Sequence, residues 1–379
     1  VRIGVMLRHF NQHGGGVKVY TRQLLDALLA IPSDDEYVFL FRDPQALGSY
    51  RDRARVTEVR VAGRHVLAWD QLGVPDAVRR HGIDVLFNPK YSIPLAVQCP
   101  TAWVCHGLDW YVMPEASRWI DRLSHRYLVP RYASKADAII AVSEITREHV
   151  MRFLKVEPER VHTVYSGVNA AYRAQWDAAA LATVRERYRL PQRFVLYAGA
   201  VYPPKNFTRL VQAYARVGPA RGIPLVVAGG ENRFLSAPEL KEPERLGIGD
   251  WVRWCGWIET DTLPAFYQLA DALLLPSLFE SFGLPILEAM ASGCPVLTSD
   301  RYGTREIADG AALLVDPVSV DAIAEGLARL LEDEPLRARL IAAGHVRATA
   351  FTWERCARQI LDLLHGLARS RTDRRARAC

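Results

Sequence analysis

Short runs rich in Val, Leu and Ile alternate with longer amphipathic stretches almost from end to end of this chain. The runs fall at 2–7, 37–41, 56–61, 84–87, 101–105, 138–142 and 161–165, and again at 194–198, 224–228, 252–255, 272–275, 295–298 and 312–315. A strand that reads as a near-continuous apolar run has to be covered on both faces, which is the situation of a parallel sheet flanked by helices. The stretches between, such as 17–30 and 206–217, repeat apolar residues at helical spacing. The alternation predicts an α/β chain of doubly wound sheets.

The pattern pauses at 168–192, where a polar Ala/Arg-rich stretch reaches Leu190-Pro191 before a fresh strand opens at Phe194. With 379 residues there is room for two domains. We read an N-terminal Rossmann-like domain over 1–175, a C-terminal one over 176–352, and a C-terminal helix and basic tail over 353–379 that could pack on either. A cleft between the two domains and a hinge near 168–192 are expected. There is no repeat at solenoid period and no low-complexity tract.

Half of the residues are hydrophobic and 24% are charged, which excludes a disordered chain. The longest apolar runs fall well short of the roughly twenty residues of a membrane-spanning helix. The opening VRIGVMLRHF enters a strand-like run at once, without a basic-then-apolar leader, which predicts a cytoplasmic location. The net charge of +6 comes from many Arg and only six Lys, interspersed with acids except in the tail Arg369–Arg377. That tail reads as a solvated end rather than an arm for nucleic acid, and no nucleic-acid partner is expected. The six Cys form neither a CxxC nor a Cys/His cluster, so zinc, redox and disulfide frameworks are unsupported.

Ligands of open α/β sheets bind beyond the carboxyl ends of the strands, so the strand-to-helix loops matter most. The loop Arg8–Gly16 ends in Gly14, Gly15 and Gly16, which is either a flexible turn or a place where backbone approaches an anion at a helix start. It is not GxGxxG, and only Asp43 is placed to meet a ribose, so nicotinamide binding is disfavoured. A second loop, Gly199–Asn206, is stiffened by Pro203 and Pro204 and carries Lys205, either a solvated lysine or a point charge for phosphate. A third follows the strand at 272–275: Glu280-SFGLPIL-Glu288. Gly283 permits close backbone approach and Pro285 suits a first helical turn. Glu280 and Glu288 can then face one pocket with free N–H groups between them, suited to a diphosphate. The structural alternative is Glu280 as a helix cap and Glu288 as a solvated charge. His106, at the end of the strand 101–105, is either a structural histidine or a site residue.

The stretch from Glu280 to Glu288, followed by AMASGCPVLTSD, resembles the Glu-x7-Glu signature of the retaining glycosyltransferases of family 4, which have the GT-B fold of two Rossmann-like domains facing a cleft. The resemblance runs through Gly14–Gly16, His106-Gly-Leu-Asp109, Ala141-Val-Ser-Glu144, Ser166-Gly167-Val168, Gly199 to Asn206 and Leu314-Val-Asp316-Pro317. Phe87-Asn88-Pro89 and the stretch ending in Pro114-Glu115 resemble members that add mannose or related sugars to cell-surface glycans.

The resemblance implies a nucleoside diphosphate sugar, with GDP preferred and UDP possible, bound mainly by the second domain. Lys205 and backbone N–H groups near Ser281, Phe282, Gly283 and Leu284 would hold the diphosphate, and Gly199 and Asn206 would bind the donor with them. Glu288 would take the ribose hydroxyls, Glu280 the hydroxyls of the transferred sugar, and His106 would reach that sugar from the first domain. Gly15 and Gly16 would lie near donor phosphates or acceptor. The base would sit near Ile258 and the loop 229–232. Ala200 stands where many relatives carry Arg, and Pro204 where some do, so Lys205 carries the leaving-group charge with fewer helpers or with an Arg from elsewhere.

No Asp-x-Asp lies in a cleft loop, so neither a metal nor any other cofactor is expected. The implied reaction is transfer, with retention, to an acceptor hydroxyl on a glycan, a lipid-linked intermediate or a small molecule. A sugar phosphorylase, a nucleotide-sugar epimerase or a non-catalytic GT-B subunit would share these loops, and a two-domain binding protein is the alternative outside enzymes. The stretch 118–135 mixes Arg, Lys, Trp, Tyr and Leu and could rest on anionic lipid at the inner face of the plasma membrane, although Pro130 is expected to interrupt it and a solvated basic helix is the plainer reading.

Overall fold

The computed structural model describes residues 1–10, 15–117, 119–230 and 238–378, with side chains as far as 370. The chain forms two units: one comprises 1–111, 119–167 and 353–379, the other 112–118 and 168–352. The division falls at Gly167 rather than at 175. The intervening residues are tied into the second unit, where Val168 N–H bonds to the Phe351 carbonyl at 3.2 Å and Ser292 Oγ bonds to the Tyr172 carbonyl at 3.0 Å.

The first unit holds a seven-stranded sheet: β1 (Arg2–Leu7), β2 (Glu36–Phe41), β3 (Val56–Arg60), β4 (Val85–Asn88), β5 (Thr101–Cys105), β6 (Ala138–Ala141) and β7 (Val161–Thr163). Their spatial order is 3-2-1-4-5-6-7 and every pair is parallel. The second unit has six parallel strands: β8 (Val195–Ala198), β9 (Leu225–Ala228), β10 (Val252–Gly256), β11 (Ala272–Leu275), β12 (Val296–Ser299) and β13 (Leu313–Val315), in the order 10-9-8-11-12-13. Each apolar run of the sequence is one of these strands.

The central strands β4, β5, β6, β8, β9, β11 and β12 are buried along their whole length, which is why they carry continuous rather than alternating apolar residues. Helices lie on both faces. Trp103 and Ile139 pack with Val129 and Tyr132 on one side of the first sheet, and Leu40 and Leu86 pack with Trp69 and Val74 on the other. In each sheet the strand order reverses once, between β1 and β4 and between β8 and β11, and the loops leaving those strands open on the crevice where such sheets bind ligands.

Two helices depart from the sequence reading. The helix Trp119–Lys135 runs through Pro130 without a break. Proline removes one backbone donor there, and in the same turn the Arg131 guanidinium donates to the Tyr127 carbonyl at 2.5 Å. The last helix runs from Trp353 to Ala378, through the basic tail. Its apolar face (Ile360, Leu361 and Leu364) is buried in the first unit, where it meets the helix Gly16–Ala30.

Candidate active site

The loop after β8 is held by backbone geometry before any ligand chemistry enters. Gly199 has φ +133° and Gly229 φ +153°, and a Cβ on Gly229 would overlap the Gly199 carbonyl, so the two chains pass closer than side chains permit. A short turn over Pro203–Lys205 follows, and Asn206 closes it in the left-handed region (φ 59°). The Asn206 amide is buried and donates to the Pro276 carbonyl at 2.8 Å and to the Pro317 carbonyl at 2.6 Å. The Pro204 carbonyl in turn accepts the Leu278 N–H at 2.8 Å. The loops leaving β8 and β11 are thereby fastened to each other, and Asn206 is the fastener rather than a group free to meet a ligand.

The result is a close ion pair: Lys205 Nζ donates to Glu280 Oε1, and each side chain is 12% exposed. Ser277 Oγ donates to the same carboxylate oxygen at 3.0 Å. Burial by itself would lower the Lys205 pKa, but the charges of Glu280 and Glu288 and the hydrogen bond to Glu280 raise it above its ordinary value, so the ammonium stays charged.

Glu280 does not cap the following helix, Leu284–Ala291. The cap residue is Gly283, at φ 104°, and no side chain hydrogen-bonds to the first turn. Those N–H groups point where an anion gains most from the helix dipole. Glu288 lies one turn further along. The Tyr267 hydroxyl donates to its Oε2 at 3.0 Å and the Tyr172 hydroxyl bonds it as well. Although the residue keeps part of its surface exposed, protein atoms surround the carboxyl closely. Burial pushes its pKa up to about 7 against the opposing pull of both tyrosines and Lys205. One cation, one uncapped helix start and two carboxylates of different character thus share one end of the second sheet.

Ser281 and Phe282 lie in the turn between Glu280 and that helix, with the Phe282 ring 6.0 Å from that of Phe351. Ile258 is half-buried beyond β10, whose Gly256 bridges Gly229, so the region expected to hold the base is tied to the Gly199 turn. Glu231 and Asn232 fall outside the described residues. Sequence reasoning missed Tyr267 and Tyr172, which read as core aromatics, and Ser277. It also missed Gly303, whose N–H bonds to the Glu280 carbonyl at 3.0 Å and whose Cβ, if present, would come within 2.5 Å of the Ser281 oxygen.

In the first unit, Gly15 (φ 98°) precedes the helix Gly16–Ala30, which has no side-chain cap and no acid in its first turn. Neither Gly15 nor Gly16 has an atom within 4 Å of a would-be Cβ. Asn11, Gln12, His13 and Gly14 fall outside the described residues. His106 leaves β5 with Nε2 2.7 Å from the Pro89 carbonyl and its ring edge-on to Tyr20 at 4.6 Å. Burial brings its pKa down to about 4, so the ring is neutral at pH 7. Nε2–H then donates to Pro89 and Nδ1 is left as a hydrogen-bond acceptor. Among the described residues no group of three His, Cys, Asp or Glu side chains could hold a metal ion.

The chain is similar to known proteins along most of its length. Residues 14–172 match the family model described as Glycosyltransferase Family 4, and residues 183–347 match that of Glycosyl transferases group 1. The chain is 28% identical to the O-antigen chain mannosyltransferase B of Escherichia coli over 76% of this chain and 75% of that one. It is also 28% identical to a GDP-mannose-dependent alpha-(1-6)-phosphatidylinositol monomannoside mannosyltransferase of Mycobacterium tuberculosis, over 96% of this chain and 98% of that one. The sucrose-phosphate synthase structure from Thermosynechococcus elongatus superposes with a TM-score of 0.77 at 23% identity, covering 97% and 99% of the two chains. The two parallel-sheet domains, each carrying its loops at the switch point of the sheet, are those of the GT-B fold, and the chain belongs to the family 4 glycosyltransferases.

Proposed function

We propose that the protein transfers mannose or a related hexose from a nucleoside diphosphate sugar, with GDP as the preferred nucleotide, to an acceptor hydroxyl, with retention and without a metal. The observation that carries this is the Lys205–Glu280 pair set beside the uncapped helix start at Gly283, with Glu288 one turn beyond. The names of the mannosyltransferase relatives support the choice of sugar and donor.

The barrier to glycosyl transfer lies in loss of the diphosphate as an oxocarbenium-like sugar forms. Fixed positive charge and N–H dipoles at the leaving oxygens therefore dominate the rate. Lys205 supplies the charge and the turn at Gly283–Leu284 the dipoles. Glu280 accepts hydrogen bonds from the sugar's hydroxyls, and Glu288 those of the ribose. The anomeric carbon–phosphate bond breaks while the acceptor oxygen attacks from the same face, and the acceptor proton passes to the leaving phosphate oxygen. Neutral His106 contributes an acceptor nitrogen, not a proton.

Peripheral membrane contact belongs to the same proposal. The helix Trp119–Lys135 exposes Trp119 (69%), Ile120, Leu123 and Tyr127 beside Arg122, Arg126 and Arg131, the composition of a helix that lies in a lipid interface. No helix among the described residues is long and apolar enough to cross a membrane. Co-sedimentation with anionic but not zwitterionic vesicles is expected; equal recovery in the supernatant would end the idea.

The reading is tested by incubating the protein with GDP-mannose and an alkyl mannoside in EDTA and analysing the product by NMR. An α-linked product formed without added metal is expected. Consumption of donor with no transfer, conversion of the donor sugar to its epimer, or strict dependence on magnesium would contradict it.

A further inference from the structure

The place in the first sheet that corresponds to the Lys205–Glu280 site carries a cation without its carboxylate. Strands β1 and β4 are neighbours where the strand order reverses, as β8 and β11 are in the second sheet. Arg8 follows β1 and Lys90 follows β4. Arg8 is neutralised, because its Nη1 donates to the buried carboxylate of Asp70. Lys90 has no ion-pair partner among the described residues, and its ammonium lies 5.4 Å from the centre of the Tyr91 ring. Burial and the like charge of Arg8 bring its pKa down to about 8.

The loop that presents Lys90 is built rather than frayed. Buried Asn88 accepts the Lys90 N–H at 3.0 Å and donates to the Ser92 carbonyl at 2.6 Å, while the Pro89 carbonyl is held by His106. His106 and His125 flank the loop; burial lowers the pKa of both, and His125 Nε2 is spent on the Tyr91 hydroxyl at 3.0 Å. A built loop that holds a half-buried ammonium without an ion-pair partner leaves a charge that an anion can complete. We propose that the crevice between β1 and β4 is an oxyanion subsite in which Lys90, beside the Arg8–Asp70 pair, takes a phosphoryl group carried by the acceptor. That the group belongs to an acceptor rests on the glycosyltransferase reading; that it is an anion does not.

The test keeps GDP at saturation, so that the region around Lys205 is filled, and measures binding of mannose, mannose 6-phosphate and a short-chain phosphatidylinositol by calorimetry. A phosphorylated probe should bind at least about 10-fold more tightly than mannose, one charge-assisted hydrogen bond's worth. Lys90→Gln should abolish that preference and Lys90→Arg should keep it, with GDP affinity unchanged in both. Preference for the phosphomonoester points to a sugar phosphate, and preference for the diester to a lipid headgroup. As a measurement on the unaltered chain, mannose 6-phosphate or the phosphatidylinositol should protect Lys90 from acetylation at pH 8. No preference for either phosphorylated probe, an undiminished preference in Lys90→Gln, or no protection by the preferred probe would overturn the subsite. Failure of GDP to bind at all would instead strike the donor assignment.

Discussion

Lys205 and Glu280 sit on loops that leave neighbouring strands, and the ammonium is paired with the carboxylate. A donor diphosphate bound as proposed would compete with Glu280 for Lys205, and the two residues should fail in opposite ways. Lys205→Ala leaves a buried carboxylate unpaired, which should cost on the order of 2–4 kcal/mol of stability. It should also weaken GDP about 10–100-fold, as expected for a lost charge-assisted contact. Glu280→Gln frees the ammonium, so GDP affinity should hold or rise while turnover falls. Parallel loss of GDP affinity in both variants, read by calorimetry, would refute the competition.

If Glu288 meets the donor as proposed, it gives nucleotide binding a pH dependence. Its folded pKa of about 7 lies above the ordinary 4.5, so the folded state holds this proton more tightly than the unfolded chain. That contribution to stability is complete below the unfolded value and is lost as pH rises through about 7. Ribose hydroxyls need the ionised form, so GDP affinity should climb roughly tenfold between pH 6 and pH 8, with proton release on binding. Glu288→Gln should flatten the profile. Calorimetry at pH 7 in buffers of different ionisation enthalpy reads the proton directly.

Gly303 should prove as important as a charged residue. An added methyl would press on the Ser281 carbonyl, and backbone there cannot swing aside as a side chain could. Gly303→Ala should cost about 1–3 kcal/mol and displace the Glu280 turn. Turnover should then fall more than GDP affinity, while Gly366→Ala in the last helix, whose new methyl would meet no atom within 4 Å, should leave GDP affinity intact.

Asn206→Ala removes the donor that two buried carbonyls share and puts alanine, which tolerates the left-handed region less well than asparagine, at φ 59°. A loss of about 2–4 kcal/mol is expected from the unpaired groups, seen as a lowered melting temperature. GDP affinity at low temperature should fall less than in Lys205→Ala, since Asn206 holds the loop and not the ligand.

The strands were legible because parallel central strands leave no freedom in their composition: runs such as Ala272–Leu275 have no solvent face to alternate with. The charged groups that the structure brings together at Lys205, Glu280 and Glu288 stood out for the opposite reason, since a lysine and two glutamates beside glycine and proline contrast with apolar strands. Tyr267 lies in the apolar helix LPAFYQL and reads as core, and only the fold shows its hydroxyl on Glu288. Lys90 escaped because an isolated lysine reads as solvated until a buried loop is seen to hold it. Pro130 misled in turn: a helix of seventeen residues absorbs one missing donor when its other turns are intact. The boundary at Gly167 was displaced because backbone groups of Val168 and Tyr172 fasten the residues after it to the second unit, contacts that periodicity does not encode.

The most direct test of the donor site is a thermal-shift titration with GDP, UDP, ADP and dTDP in EDTA and again with magnesium, on the wild type and Lys205→Ala. A nucleotide at about 100 times its dissociation constant adds roughly 2.7 kcal/mol to stability. The account predicts that GDP raises the melting temperature most, equally with and without magnesium, and that Lys205→Ala removes most of that shift. No shift with any nucleotide, or the same shift in Lys205→Ala, would contradict it.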